Sequence, residues 1–241
     1  MEVFIPAAGL GTRLKPLTDS IPKALVEING VTLLEMQLMK LAREGFNHFV
    51  INIHHFAGQI TGFLNKNNNF GLKIDISDES RLLLDTGGGL KKALNLLNED
   101  NFLIHNVDII SGLDIKKFME FHAGNGSIAT LAVQKRESSR YFLFDEKGLL
   151  CGWENVKTGE KKVTRKASGE LERFAFSGIH AVDRNIRSLM PPGEVFSIVD
   201  FYLSIAQEVQ ITYFEQKDAG FIDLGKIANL DEAARLLKYN K

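Results

Sequence analysis

Cysteine is almost absent from the sequence: Cys151 is the only one. A single thiol forms no internal disulfide and builds no cysteine-based metal framework, and it fits a reducing compartment. Charge of one sign is not in excess either. Lysine and arginine number 29 against 30 aspartates and glutamates, a formal net charge of -1. Global attraction therefore favours neither a nucleic acid nor an anionic membrane as the main partner, although a local basic pocket for phosphates stays open. No apolar run approaches the roughly 18 residues that cross a bilayer. Val3 to Gly9 is too short for a secretory signal, and no basic segment precedes it. These features point to the cytoplasm.

What is present is an ordinary globular balance, 44% hydrophobic and 24% charged over 241 residues, enough to bury a core as one domain, 1–241. Met1 to Ile5 reads as a buried strand running into Gly9-Leu10-Gly11. Thr32 with Glu35 forms a capping box ahead of helical spacing at Leu34, Leu38, Leu41 and Ala42, and Gly45 ends that helix. Strands are expected at 48–54, 72–77, 101–107 and 127–133. Helices are expected at 56–64, from the triple glycine 87–89, and through Ile115, Phe118, Met119 and His122. Strict alternation with short connections specifies a mostly parallel sheet covered by helices on both faces, a Rossmann-like α/β arrangement.

The pattern changes after Gln134. Residues 141–144 and 149–153 look like a hairpin, and 155–169 is polar, so 134–195 is expected to be a small β-rich substrate lobe laid over the sheet edge. Ser197 and Asp200 open a helix with Ile198, Phe201, Tyr202 and Ile205. Strands near 209–214 and 220–222 follow, then a helix using Leu230, Ala233, Ala234 and Leu237.

The turn Ala7-Ala8-Gly9-Leu10-Gly11-Thr12-Arg13 follows the first strand, where open α/β sheets collect ligands. Glycines there let backbone N–H groups approach a phosphate, and Arg13 and Lys23 can add charge. A tight turn with two solvated cations is the plainer reading. The Rossmann fingerprint fails because Leu14 stands where its third glycine belongs. The P-loop pattern at Gly220, Gly225 and Lys226 fails because Ile227 replaces the metal-binding hydroxyl. Asp108 and Asp223 each follow a strand; each is either a turn cap or half of a site for a hard divalent cation. His54 and His55 are neighbours in an apolar strand, point to opposite faces and fit a structural role. Trp153 fits packing, and the run Lys161 to Lys166 fits a solvated loop.

The stretch Gly9-Leu10-Gly11-Thr12-Arg13-Leu14-Lys15-Pro16-Leu17-Thr18 with Pro22-Lys23-Ala24-Leu25 resembles the signature of the sugar-phosphate nucleotidyltransferases. Further landmarks are Asp85-Thr86-Gly87-Gly88-Gly89, Asn106-Val107-Asp108, Phe176-Ser177-Gly178-Ile179 and Ile222-Asp223-Leu224-Gly225. The resemblance spans essentially the whole chain and is nearest the compact branch that includes uridylyltransferases for N-acetylmuramic acid 1-phosphate, with guanylyltransferases for mannose 1-phosphate similar. It implies a nucleoside triphosphate, UTP or GTP, and a sugar 1-phosphate as substrates, with Mg²⁺ on Asp108 and Asp223. Arg13 and Lys23 are then catalytic. Ala7, Ala8, Gly9, Gly11, Thr12, Glu79, Thr86, Gly87 and Asn106 would hold the nucleotide, and Glu154, Ser177 and Gly178 the sugar phosphate. A solvated acid at Glu79 and a β-turn at Ser177-Gly178 are the alternatives there. The sequence departs from the family at Val107, usually Gly, at Phe221, usually Trp, and at Asn155, where relatives carry the lysine that holds the sugar phosphate. Lys157 and Arg140 are the candidates to replace it. A cytidylyltransferase for phosphocholine or a similar phosphate, and a nucleotide-sugar-binding regulatory subunit without turnover, are the rival readings. A monomer or small homo-oligomer is expected.

Overall fold

Strand β1 (Glu2–Pro6) is buried on both faces, so alternate side chains enter different apolar layers. Val3 and Ile5 join one layer and Phe4 the other. The computed structural model describes residues 1–217 and 220–236; Leu237 lies outside them. A two-residue ribbon, β2 (Glu27–Ile28) and β3 (Val31–Thr32), leads into α1 (Leu33–Arg43). Then follow β4 (His48–Ile53), α2 (Ala57–Lys66), β5 (Lys73–Asp78), α3 (Asp85–Ala93), β6 (Asn101–His105), β7 (Ile109–Ser111), α4 (Ile115–Asn125) and β8 (Ala129–Gln134). The second half holds β9 (Arg140–Phe144), β10 (Leu150–Asn155), β11 (Glu160–Val163), β12 (Glu172–Asp183), α5 (Ile198–Ile205), β13 (Ile211–Glu215), β14 (Phe221–Asp223) and α6 (Ile227–Leu236).

The expected parallel sheet is present: β5, β4, β1 and β6 lie side by side and parallel, and β13 pairs parallel with β8. Helices α1, α2, α4 and α6 supply Leu38, Ile60, Phe118 and Ala233 to one layer. Helices α3 and α5 supply Leu90 and Tyr202 to the other. Each fully buried large apolar side chain stabilises the fold by about 2 kcal/mol relative to exposure. The capping box forms, Thr32 Oγ1 accepting from Glu35 N at 3.1 Å, and Ser197 Oγ accepts from Val199 N at 3.2 Å at the start of α5.

Strand β12 was not expected. It runs antiparallel between β6 and β8 and continues outward to pair with β9. The lobe of β9, β10 and β11 is thus joined to the middle of the sheet through one shared strand, not laid over its edge. The register of β12 on β8 breaks between Phe176 and His180, and Gly178 sits there with φ +70°. Ser177-Gly178 is therefore a bulge inside a strand, not a β-turn, and only glycine takes that backbone region without strain. The polar stretch 155–169 contains β11, exposed along its length, which pairs only with β10. In the basic run, Lys162 reaches Asp200 at 3.0 Å, and Arg165 Nη2 donates to Val209 O at 2.8 Å beyond the end of α5. Among the described residues no helix is long and apolar enough to cross a membrane.

Candidate active site

The C-terminal ends of β1, β4 and β5 meet in a buried relay. Pro6 pairs with Asn52, and beyond it the ladder leaves the next N–H groups without a strand partner. Asn52 Oδ1 accepts from Ala7 N at 2.6 Å and Ala8 N at 3.2 Å, while its Nδ2 donates to Glu79 Oε1 at 2.7 Å. Glu79 Oε2 accepts from Leu84 N at 3.1 Å. Glu79 is 1% exposed, so it is not a solvated acid, and both its oxygens are engaged inside the fold. It shapes the turn from within, each oxygen holding one donor of the fold. Gly89 is where a Cβ would meet Glu79 Oε1 at 2.8 Å and Asn52 Nδ2 at 2.9 Å. His54, just past β4, bonds through Nδ1 to Glu79 O at 2.7 Å, a structural role.

Thr86 and Gly87 open α3, yet that helix end is occupied by protein. Phe196 O accepts from Gly87 N at 2.9 Å and from Gly88 N at 3.2 Å, and Thr86 Oγ1 accepts from Ile198 N at 2.9 Å. A Cβ at Gly88 would overlap the Glu194 carbonyl oxygen. These glycines let segment 194–198 lie against the helix, and its carbonyl takes the place an anion would have at a free N-terminus.

Beyond the relay the turn opens to solvent. Gly9, Leu10, Thr12 and Arg13 are exposed. Gly11 has φ +65°, and a Cβ there would come 2.8 Å from Thr18 Cγ2; Thr18 Oγ1 donates to Gly11 O at 2.8 Å. Lys23 returns across the turn to pair with Asp108, Nζ to Oδ2 2.9 Å, both largely buried. Arg13 Nη1 lies 3.7 Å from Asp223 Oδ2.

The two aspartates are brought together by a ribbon. β7 follows Asp108 directly and pairs antiparallel with β14, which ends in Asp223. Leu224 N donates to Asp108 O at 2.8 Å. From α1, Gln37 and Lys40 donate to the carbonyls of Ile109 and Ser111 and fix the ribbon to the main layer. A Cβ at Gly225 would stand 2.8 Å from Asp108 Oδ2, 2.8 Å from Asp223 Oδ1 and 2.6 Å from Arg13 Nη2. Two carboxylates and a guanidinium therefore surround one small space that glycine leaves open. Carboxylate oxygens are hard donors, the kind that a hard divalent cation takes together with phosphate oxygens and water. Among the described residues no set of three or more His, Cys, Asp or Glu gathers to enclose a metal fully.

On the other side of Asp223 lies a cleft of about 760 Å³ between the turn and the lobe. Thr12, Arg13, Asp223 and Lys226 line one wall, and Arg136, Arg140, Trp153 and Lys157 line the other. Trp153 thus faces the cleft in addition to packing. Arg140 and Lys157, the sequence candidates for the missing lysine, are both here. Glu154 does not line the cleft; its Oε1 lies 3.6 Å from Arg173 Nη1. Asn106 and Gly178 are neighbours: Asn106 N donates to Gly178 O at 3.0 Å, and a Cβ at Gly178 would meet Asn106 Nδ2 at 2.7 Å. Ser177 is buried with an unpartnered hydroxyl.

Arg136 was missed in the sequence, where it stands between Lys135 and Glu137 like any surface cation. Its guanidinium lies over the Phe221 ring, 4.3 Å from the centroid, and Nη2 donates to Phe176 O at 3.0 Å. Burial lowers its pKa below the usual arginine value, partly opposed by the charge of Asp223. Nearby, burial pushes the His105 imidazole down to about 4, helped by the charge of Lys40, so it is neutral at physiological pH.

Residues 3–148 match the nucleotidyl transferase family, and the chain belongs to that family of enzymes. It is 32% identical over 215 residues to the N-acetylmuramate alpha-1-phosphate uridylyltransferase of Caulobacter vibrioides, covering 86% of this chain and 85% of that one. It is 25% identical over 251 residues to the UTP–glucose-1-phosphate uridylyltransferase of Synechocystis, covering 98% of this chain and 63% of the relative's length. Among solved structures, HddC from Yersinia pseudotuberculosis superposes with TM-score 0.78 at 26% identity, over 98% of this chain and 99% of that one.

Proposed function

We propose that the chain joins UTP or GTP to a sugar 1-phosphate, releasing pyrophosphate, with Mg²⁺ held by Asp108 and Asp223. The observation that carries this reading is the space at Gly225 enclosed by both carboxylates and Arg13. A sugar-phosphate oxygen attacks the α-phosphorus in line; the new P–O bond forms as the bond to the β-phosphate oxygen breaks. The attacking oxygen is already anionic, so no general base and no nucleophilic Ser, Cys or His is required. Catalysis then consists of holding two polyanions together and offsetting their charge. The metal supplies charge neutralisation and orientation of phosphate oxygens. Arg13, on the exposed turn, binds the departing pyrophosphate. Lys23, held at Asp108, stabilises charge between the two substrates.

Replacing Asp108 with Asn keeps the side-chain shape and removes the charge. Turnover, read as pyrophosphate release across a matrix of triphosphates and phosphorylated acceptors, sugar 1-phosphates and phosphocholine among them, is expected to fall by about a thousandfold or more with an unchanged circular-dichroism spectrum. Wild-type turnover in that variant sinks the assignment. In the same matrix, activity restricted to CTP with phosphocholine supports the cytidylyltransferase reading, and binding without product supports the regulatory one.

A further inference from the structure

An acceptor phosphate entering the cleft needs a cation to receive it. Among the cations lining the cleft, Arg140, Lys157 and Lys226 have exposed or half-exposed positions and no ion pair or side-chain hydrogen bond among the described residues. Long solvated side chains lose rotamer entropy when an anion fixes them. Arg136 differs in burial and in being held by the fold. It is half-buried, yet no carboxylate lies within ion-pairing distance of it among the described residues. Among the described residues its buried Nε has no partner, and the carbonyls of Phe176 and Glu137 alone accept from its Nη groups, at 3.0 and 3.4 Å. Withdrawing a guanidinium from water with so few partners is costly unless an anion completes the arrangement.

Its orientation is also set in advance. Phe221 and Asp223 are two apart on β14 and share a face of that strand. The contact with Phe221 therefore holds the guanidinium on the side of the ribbon where the Asp223 carboxylate stands. An anion received there lies beside the carboxylate pair, where an attacking phosphate has to be.

We propose that Arg136 receives the phosphate of the acceptor. The inference rests on the transferase reading for the identity of that phosphate. Its geometry is local to Arg136, Phe221 and Phe176.

Trp153, the only tryptophan, lines the same cleft and reports binding without turnover. Inorganic phosphate and glucose 1-phosphate are titrated against wild type, Arg136→Lys, Arg136→Met and, as a control for lost charge, Arg43→Ala on the exposed side of α1. A planar two-pronged donor gives way to a point charge in the lysine variant and to nothing in the methionine variant. The phosphate Kd is expected to rise about threefold or more in Arg136→Lys and about tenfold or more in Arg136→Met, and to stay at the wild-type value in Arg43→Ala. In steady state the acceptor KM rises by similar factors while the triphosphate KM stays within about twofold. If Arg136→Met fails to fold, the lysine variant alone decides. Unchanged phosphate binding in a folded variant, or a rise in triphosphate KM in place of acceptor KM, overturns the proposal. Absence of turnover in the wild type with every substrate pair refutes the transferase reading, while the fluorescence titration still decides Arg136.

Discussion

The two sides of the active cleft handle their polar groups in opposite ways. On the side of β1, β4 and α3, donors and acceptors expected to meet a nucleotide are engaged inside the protein: Ala7 and Ala8 with Asn52, Glu79 with Asn52 and Leu84, Gly87 with Phe196. On the lobe side, among the described residues, the Arg140 and Lys157 side chains have no ion pair and Arg136 has no carboxylate within ion-pairing distance. The first side is a scaffold whose polar groups are largely engaged and from which the turn from Gly9 to Arg13 stands out toward solvent. The second is left incomplete, and an anion completes it. Preorganisation is thus concentrated where the turn has to be rigid, and unsatisfied charge where a substrate has to be captured.

Substitutions on the scaffold side should therefore cost stability, and those on the lobe side should cost only binding. The largest expected effect is at Gly88, where an alanine Cβ would overlap the Glu194 carbonyl oxygen. Gly88→Ala should lose about 2–4 kcal/mol in urea unfolding through displacement of segment 194–198; a variant as stable as wild type would break the comparison. Glu79→Ala is next. It leaves Asn52 Nδ2 and Leu84 N buried without acceptors, a loss of about 1–3 kcal/mol, together with weaker triphosphate binding as the turn loosens. Loss of binding with no loss of stability would return Glu79 to a direct contact. Smallest is the double variant Arg140→Ala/Lys157→Ala, expected within about 0.5 kcal/mol of wild type in the same unfolding measurement. A marked destabilisation would show that these cations brace the lobe.

Much of the main layer was legible because its signals are local. Alternation of buried strands with amphipathic helices, the capping box at Thr32 and the Ser197 cap each depend on residues a few positions apart. β12 was not legible because its hydrogen bonds come from β6, β8 and β9, and its bulge at Gly178 reads along the chain as a turn. Arg136 escaped for the same reason: nothing near Lys135 or Glu137 announces Phe221, some eighty-five positions later, as its stacking partner. Glu79 was visible as a carboxylate near the site, but its burial and its two donors belong to β4 and to the turn into α3.

The chain's own order of residues determined which chemistry was available: a glycine turn after a strand, two aspartates at strand ends, and a scatter of cations after Gln134. Only the packed fold decided that Asp108 and Asp223 share the space at Gly225, that Glu79 supports the turn from inside, and that Arg136 faces the cleft. Residue type sets what a group can donate, accept or carry as charge. Which partner it meets is set by ladder register and layer packing, interactions that join positions a hundred residues apart and leave no local trace.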